Sequence, residues 1–249
     1  MGRPVEEVLS GLNAAGLRHF VTPSGQLVSV GRPVELLADV PVRAQFAVPL
    51  ERAGRDAKRL IDISAALAAL VILSPLFLLL AALIKLTSPG PVFFKQSRPG
   101  LGRRPFTMWK FRTMVPGAER QEAELRGEGG VFFKPKNDCR VTPVGRFLRK
   151  YSIDELPQFF NVLKGEMSLV GPRPVLWHEL ERFSAPEQLR RFEMKPGLTC
   201  IWQVSGRSNT TDEARMRYDL EYVEGWSLAT DFKLLLKTVP VVLKGEGAV

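Results

Sequence analysis

The residues from Ile63 to Ile84 form a run of 22 residues without a charged side chain, and nearly all of them are aliphatic. An α-helix rises about 1.5 Å per residue, so crossing a hydrocarbon core of roughly 30 Å takes about 20 residues. A core helix of a soluble domain is seldom apolar over such a length. The run therefore predicts a protein that enters a membrane.

The middle of this run contains Ser74 followed by Pro75. Proline removes a backbone donor and clashes with the preceding turn, so the helix should kink or break there. The Ser74 hydroxyl can bond a carbonyl that the break frees, which makes a break tolerable within lipid. Both flanks are basic, and the positive-inside tendency then places both in the cytoplasm. The flanking cations are Arg52, Arg55, Lys58 and Arg59 before the run, and Lys85, Lys95, Arg98, Arg103 and Arg104 after it.

Each half of the run is too short to cross a bilayer alone. We therefore predict a re-entrant helix–break–helix over about residues 57–87, which dips into one leaflet and returns. An ordinary kinked transmembrane helix is the alternative that the segment by itself leaves open.

The composition narrows the classes of ligand and site. The net charge is +9, and basic chains favour nucleic acid, anionic lipid or phosphorylated substrates. Beside a membrane segment, lipid headgroups and phosphates are the better candidates. The two cysteines, Cys139 and Cys200, lack metal-binding spacing, and the two histidines, His19 and His178, lie in unrelated contexts. A zinc site or a Ser-His-Asp triad is therefore poorly supported.

The pattern of elements predicts an α+β, mainly helical monotopic membrane protein with a small β-hairpin and amphipathic surface helices. Residues 1–55 are expected to form a small separate element, with hairpin strands near His19–Val21 and Gln26–Val30. Residues 56–249 are expected to form the main domain. Near its end, Leu228–Leu243 has the apolar spacing of an amphipathic helix on the protein or membrane surface.

Asp154 and Glu155 are the acidic pair with the most chemical interest. In such a pair, one carboxylate can attack an electrophile while the other holds a divalent cation. Two structural alternatives stay open: Asp154 can cap the following helix, or Ser152 and Glu155 can form a capping box. A second pair, Asp212-Glu213, stands at a helix start, and we interpret it as structural.

Arginines around this pair favour the chemical interpretation. Arg146 and Arg149 lie within two helical turns upstream, and Arg173 stands between two prolines. The segment Trp109–Arg112 adds two more cations, Lys110 and Arg112. Guanidinium groups bind phosphate bidentately and stay charged. Several arginines and a carboxylate pair beside a membrane-dipping helix predict phosphoryl chemistry at the bilayer surface.

Seven ordered segments resemble the bacterial sugar transferases, which are monotopic polyprenyl-phosphate phosphoglycosyl transferases. The resemblance covers about residues 56–243. The segments are Lys58–Asp62, Leu73–Pro75, Leu86–Val92, Lys110–Met114, Asp154–Gln158, Ser168–Pro174 and Lys195–Thr199.

The resemblance implies transfer of a sugar 1-phosphate from a nucleoside diphosphate sugar, usually a UDP-sugar, to undecaprenyl phosphate. The expected products are a polyprenyl diphosphate sugar and UMP, formed through a covalent phospho-sugar intermediate with Mg²⁺. Asp154 would be the nucleophile and Glu155 the metal ligand. The expected location is the cytoplasmic face of the bacterial inner membrane, with both termini cytoplasmic, in the first membrane step of exopolysaccharide, lipopolysaccharide or capsule synthesis.

The same resemblance implies roles for further residues. Arg112, Arg146, Arg149 and Arg173 would hold phosphates, and Arg207 would lie near the nucleotide, although a plain turn at Gly206–Ser208 is nearly as good an interpretation. Asp62 would pair with Lys58 or Arg59 near the active site, or else serve as an interfacial anchor. The first 55 residues match neither the long nor the short members, which leaves a regulatory role or a homodimer contact open.

Two other functions compete with the enzyme. A non-catalytic membrane scaffold that binds nucleotide sugar or anionic lipid explains the charge and the apolar run, but not the intact carboxylate pair. A membrane-tethered nucleic-acid binder fits the net charge, but the basic residues are scattered and the chain has no recognition helix or aromatic RNA motif. The sequence does not indicate which sugar is transferred.

Overall fold

The structure is a computed structural model that describes residues 18–21, 27–30, 52–118, 138–180, 183, 186–206 and 210–245. The chain divides into two compact units, Met1–Gln45 and Phe46–Val249. In the first unit, strands β1 (Arg18–Val21) and β2 (Leu27–Val30) pair antiparallel. The predicted hairpin is confirmed, whereas the predicted domain boundary at residue 55 stays a prediction.

The second unit contains a helix pair that is broken where the sequence predicted. Helix α1 (Arg52–Ile72) and helix α2 (Ser74–Thr87) are bent by 60° relative to each other. Pro75 lies in the first turn of α2, where its missing N–H removes no helical bond. The Ser74 hydroxyl donates to the Val71 carbonyl at 2.8 Å, as expected for a serine that covers a freed carbonyl.

In the described part of the chain, no single helix has both the length and the apolar composition of a membrane span. The two helices α1 and α2 reach that length and composition only together. Their surface is apolar: α1 leaves Leu67, Val71 and Ile72 at least half exposed, and α2 does the same for Leu78, Leu79 and Leu86.

Two small sheets carry the segments that meet at the candidate site. Strands β3 (Phe93–Pro99) and β4 (Pro105–Phe111) form an antiparallel hairpin around a 3₁₀ turn at Leu101–Arg103. Strands β5 (Ser168–Val170) and β6 (Gly197–Thr199) pair in parallel.

Helices make up most of the remaining described residues, in agreement with the mainly helical prediction. Thr142 caps one of them by accepting from the Gly145 N–H at 2.9 Å, and Thr211 caps another through the Ala214 N–H at 3.2 Å. The helices are α3 (Pro143–Lys150), α4 (Gln158–Lys164), α5 (Trp177–Leu180), α6 (Ile201–Val204), α7 (Asp212–Glu224) and α8 (Leu228–Lys244), with 3₁₀ turns at Ile153–Glu155 and Pro186–Glu193.

Helix α8 is amphipathic as predicted. It buries Leu234 and Asp231 against the core, while apolar side chains along the opposite face are more than half exposed. The exposed residues are Phe232, Leu236, Val239 and Leu243.

One hydrophobic core joins the elements around the site. It includes Ala66 of α1, Met108 of β4, Val162 of α4, Val170 of β5 and Tyr222 of α7. Full burial of a valine or methionine side chain, such as Val162 or Met108, contributes roughly 1.5–3 kcal/mol. Because β4, α4 and β5 share this core, the ends of these elements are fixed relative to one another.

Candidate active site

Asp154 and Glu155 lie in the 3₁₀ turn between α3 and α4 rather than inside a continuous helix. Ser152 begins this turn in the left-handed region, with φ of 55°, and its side chain caps nothing. The N-cap of α4 is Pro157, again without a side-chain cap. The two capping alternatives for this carboxylate pair are therefore wrong, although both carboxylates are buried.

Glu155 is held by two cations that come from different elements. Lys110 at the end of β4 donates to Oε1 at 2.7 Å, and Arg173 donates to Oε1 at 2.7 Å and to Oε2 at 3.3 Å. Burial alone would raise the pKa of Glu155, but the charges of Arg173 and Lys110 keep it well below its ordinary value. Glu155 is therefore a permanent anion at neutral pH.

Asp154 is the opposite case. It is 7% exposed, and among the described residues its carboxylate takes part in no hydrogen bond or ion pair. Burial raises the pKa of Asp154 above its ordinary value, and the neighbouring Glu155 acts in the same direction, while Lys110, Arg149 and Arg173 oppose the shift. A desolvated carboxylate without hydrogen bonds, close to three cations, keeps its lone pairs available for an electrophile.

Arg149 on α3 is the third of these cations. Its Nε donates to the Thr113 hydroxyl at 2.9 Å, and its backbone carbonyl accepts from the Ser152 N–H at 3.0 Å. Helix α3 approaches this point closely, because a Cβ atom on Gly145 would lie 2.1 Å from the Thr113 carbonyl oxygen. Because Gly145 has no side chain, α3 can lie against the Thr113 backbone, and this close packing brings Arg149 next to the turn that contains Asp154.

Arg173 reaches Glu155 from the loop after β5. A Cβ atom on Gly197 would lie 2.1 Å from the Gly171 nitrogen. The two backbone segments can therefore approach this closely only because both positions are glycine. The Arg173 guanidinium also lies over the Trp202 ring, 5.6 Å from its centre. Burial would lower the pKa of Arg173, but the Glu155 carboxylate raises it, so the guanidinium stays charged.

The predicted phosphate-binding arginines have different surroundings. The structure brings Arg149 and Arg173 to the carboxylate pair. Arg112 is buried, and it donates to the Pro89 carbonyl and, at 2.8 Å each, to the Ser88 carbonyl and hydroxyl, so its contacts hold the turn after α2. Arg146 is exposed on α3, and its role stays a prediction. Arg207 lies outside the described residues.

The predicted ion pair of Asp62 with Lys58 or Arg59 is wrong. Asp62 is buried and accepts from the Ser168 hydroxyl at 3.1 Å and from the Leu169 N–H at 2.9 Å. Because α1 packs against β5, the Ser168 hydroxyl and the Leu169 N–H reach Asp62, whereas Lys58 on the same helix does not.

The two cations on α1 have other partners as well. Lys58 pairs with Asp231 at 2.5 Å. Arg59 donates to the Val162 and Leu163 carbonyls at the end of α4, at 2.6 and 2.7 Å, because the last carbonyls of a helix lack intrahelical partners.

Lys110 is the site residue that the sequence analysis did not single out. In the sequence, Lys110 is one of two cations next to Trp109, and the prediction gives the phosphate-binding role to Arg112. The usable signal was the strand itself: β4 ends at Phe111, so Lys110 still has a fixed strand orientation, whereas Arg112 has already left the strand.

The carboxylate pair could hold a divalent cation only together with further ligands from outside the protein. Among the described residues, no group of three His, Cys, Asp or Glu side chains could hold a metal ion by itself. Oε2 of Glu155 accepts a single hydrogen bond of 3.3 Å, so one of its lone pairs stays free. Mg²⁺ is commonly bound by one or two carboxylates together with substrate phosphates and water. The site therefore fits Mg²⁺ that arrives with a diphosphate.

Comparison with known proteins identifies the family. Residues 53–245 match the model of the family described as bacterial sugar transferase. The chain is 43% identical over 196 residues to the galactosyl transferase CpsE of Streptococcus agalactiae, covering 77% of this chain and 43% of that protein. It is 42% identical over 212 residues to the UDP-glucose:undecaprenyl-phosphate glucose-1-phosphate transferase of Klebsiella pneumoniae, covering 82% and 44%.

A third relative is shorter. The exopolysaccharide production protein ExoY of Rhizobium meliloti is 42% identical over 202 residues, which cover 78% of this chain and 89% of that protein. The chain thus spans less than half the length of the first two relatives and most of the third. Since the family model covers nearly the whole second unit, including both carboxylates and all three cations around them, the chain belongs to the bacterial sugar transferase family.

Proposed function

We propose that this protein transfers a sugar 1-phosphate from a UDP-sugar to undecaprenyl phosphate, and that Asp154 is the nucleophile. The proposal depends mainly on one observation: a buried carboxylate without a hydrogen-bond partner in the described structure lies beside three cations, two of which grip the adjacent Glu155. The relatives from Klebsiella pneumoniae and Salmonella typhimurium are named as undecaprenyl-phosphate sugar phosphotransferases, which supports the same reaction.

The proposed reaction has two displacements at the same phosphorus. In the first, an Asp154 oxygen bonds to the sugar-bearing phosphorus of the donor, and the bond from that phosphorus to the bridging oxygen breaks, so UMP leaves. In the second, a phosphate oxygen of undecaprenyl phosphate bonds to the same phosphorus and the Asp154 carboxylate leaves. The product is undecaprenyl diphosphate sugar, and the carboxylate is regenerated.

Each neighbouring residue has a defined task in this scheme. Burial makes the Asp154 carboxylate a better nucleophile, because fewer hydrogen bonds must be broken before it attacks. Lys110, Arg149 and Arg173 offset the charge of the donor diphosphate, which otherwise repels two carboxylates. Glu155 orients Lys110 and Arg173, and its free Oε2 lone pair would hold Mg²⁺, which when bound neutralises charge on the diphosphate.

We also propose a membrane location for this chemistry. Helices α1 and α2 would dip into the cytoplasmic leaflet as a re-entrant pair, with both ends in the cytoplasm. The bend of 60°, the basic flanks and the exposed apolar side chains of both helices support this arrangement. The apolar face of α8 would lie on the same surface of the bilayer.

The test is release of UMP on incubation with UDP-sugar, Mg²⁺ and undecaprenyl phosphate in detergent. The relatives' names include both glucose and galactose, so a panel with both UDP-sugars is the starting point. Asp154→Asn should abolish release. Asp212→Asn is the matched control, since it alters the other Asp-Glu pair at the start of α7 and should leave activity near wild type. Persistent activity in Asp154→Asn would remove the proposed nucleophile.

A further inference from the structure

A buried ion pair lies next to the site without reaching it. Arg191 in the 3₁₀ turn Pro186–Glu193 and Asp219 on α7 are 2.8 Å apart, and they are 3% and 2% exposed. Groups this deeply buried are not available to a nucleotide sugar or a polyprenyl phosphate, so their role is not substrate binding.

The pair holds the main chain of one residue, Arg173. Nη2 of Arg191 donates to the Arg173 carbonyl oxygen. The Arg173 N–H faces the Asp219 carboxylate and acts to lower its pKa. The Arg173 carbonyl is therefore bound by one member of the ion pair, and the Arg173 N–H faces the other.

The Arg191 guanidinium is itself fixed by its surroundings. It lies over the rings of Phe183 and Phe192, 5.6 and 5.8 Å from their centres. A planar guanidinium that is packed against two aromatic rings, donates to a carbonyl and pairs with a carboxylate has little freedom to rotate. The ion pair therefore holds the Arg173 peptide group in a fixed position.

Stability alone does not account for this ion pair. Burial raises the pKa of Asp219 to about 6, even though Arg191 opposes the shift, so the ionised carboxylate is held at a cost. Buried ion pairs are often no more stabilising than well-packed apolar residues of similar volume. Packing between the 3₁₀ turn and α7 could therefore be achieved without charges.

We propose that Arg191 and Asp219 are positioning residues: by clamping the Arg173 backbone, they aim its guanidinium at Glu155 in the observed two-contact geometry. This inference rests on the proposed function, in which Arg173 offsets donor charge. Arg173 has a long side chain, and a small rotation of its peptide displaces the guanidinium by an ångström or more. A displacement of about 1 Å in a catalytic group can cost about a hundredfold in rate.

The test replaces the pair by apolar residues of similar volume, Arg191→Met together with Asp219→Leu. We expect a melting temperature close to wild type and an unchanged burst amplitude of UMP in the absence of acceptor, because Asp154 is intact. The burst rate should fall about a hundredfold. A merely structural pair would lower the melting temperature or the amplitude and leave the burst rate of the folded fraction unchanged.

The chain offers a matched control between the same two elements. Arg190 and Glu224 form an exposed ion pair from the same 3₁₀ turn to α7, and neither has a described contact with Arg173. Arg190→Gln with Glu224→Gln should keep the wild-type burst rate. A wild-type burst rate in the folded apolar double variant would overturn the inference.

If the double variant does not fold, a second variant still tests whether Arg191 positions Arg173. Arg191→Lys keeps the charge beside Asp219, but its ammonium lacks the planar donor pair, so a slower burst at full amplitude is expected. A wild-type burst rate in Arg191→Lys would overturn the clamp. If the wild-type protein itself releases no UMP, the proposed function fails, which is a different result.

Discussion

The contact between Lys110 and Glu155 yields a prediction with a definite size. The Lys110 Nζ donates to Oε1 at 2.7 Å, and the two side chains are 20% and 10% exposed, so the interaction is only partly screened by water. Removing one partner of a desolvated, hydrogen-bonded charge pair costs roughly 2–5 kcal/mol. Because part of this pair is hydrated, we expect about 3 kcal/mol to appear in the barrier, or about a hundredfold in rate.

The assay is the pre-steady-state burst of UMP from a UDP-sugar, measured across pH for wild type and Lys110→Met. Besides the lower rate, the acid limb should move to higher pH, because the Lys110 charge opposes the upward shift in the pKa of Asp154. Lys95→Met is the control: Lys95 is on the neighbouring strand and lies over the Trp109 ring, 4.2 Å from its centre. A burst rate of Lys110→Met within twofold of wild type, with an unmoved acid limb, would show that the Lys110 charge does not act on the reacting groups.

Three further predictions concern the nucleophile, the membrane segment and the β5–β6 contact. Attack requires the ionised form of Asp154, whose pKa is raised by burial, so the burst rate should fall on acidification with a midpoint above 3.8; a rate flat down to pH 4 would contradict this. In a Cys139→Ser background, single cysteines at Arg55 and Lys95 should both react with an impermeant thiol reagent from the cytoplasmic side only; labelling from opposite sides would reject re-entry. Gly197→Ala should lower the free energy of unfolding by about 1–3 kcal/mol in denaturant titrations, because the new methyl would lie 2.1 Å from the Gly171 nitrogen; an unchanged midpoint would show that the two chains can separate there.

Features set by local chemistry were the ones that the sequence predicted. The helix break follows from a single proline, and the covering hydrogen bond follows from the serine before it, so both could be expected without knowing the fold. The amphipathic α8 likewise follows from the spacing of its own apolar residues.

Partners chosen by tertiary packing could not be read in the same way. Asp62 was expected to bind a cation one helical turn away, but its partners are 106 and 107 positions distant, on β5. Arg112 is predicted to bind phosphate, and its described contacts are with a turn 23 residues earlier, which the spacing along the chain did not indicate. A charged side chain satisfies whichever group the core brings nearest, and spacing along the chain does not reveal that choice.

The carboxylate pair combines a feature that the sequence predicted with tertiary contacts that it did not reveal. Its acidic chemistry was visible in the sequence, but the capping alternatives could be rejected only from the left-handed Ser152 and the uncapped Pro157. The different states of the two acids arise from Lys110 and Arg173, which reach Glu155 from segments 45 residues before it and 18 residues after it.

The most direct test of the account is to trap the phospho-sugar on the protein. The enzyme should be mixed with UDP-sugar and Mg²⁺ without polyprenyl acceptor, quenched, and analysed by intact-mass and peptide mass spectrometry. If Asp154 is the nucleophile, the protein gains the mass of one sugar phosphate on the peptide that contains Asp154, and this mass disappears when undecaprenyl phosphate is added. UMP release without any adduct, or an adduct on a different residue, would contradict it.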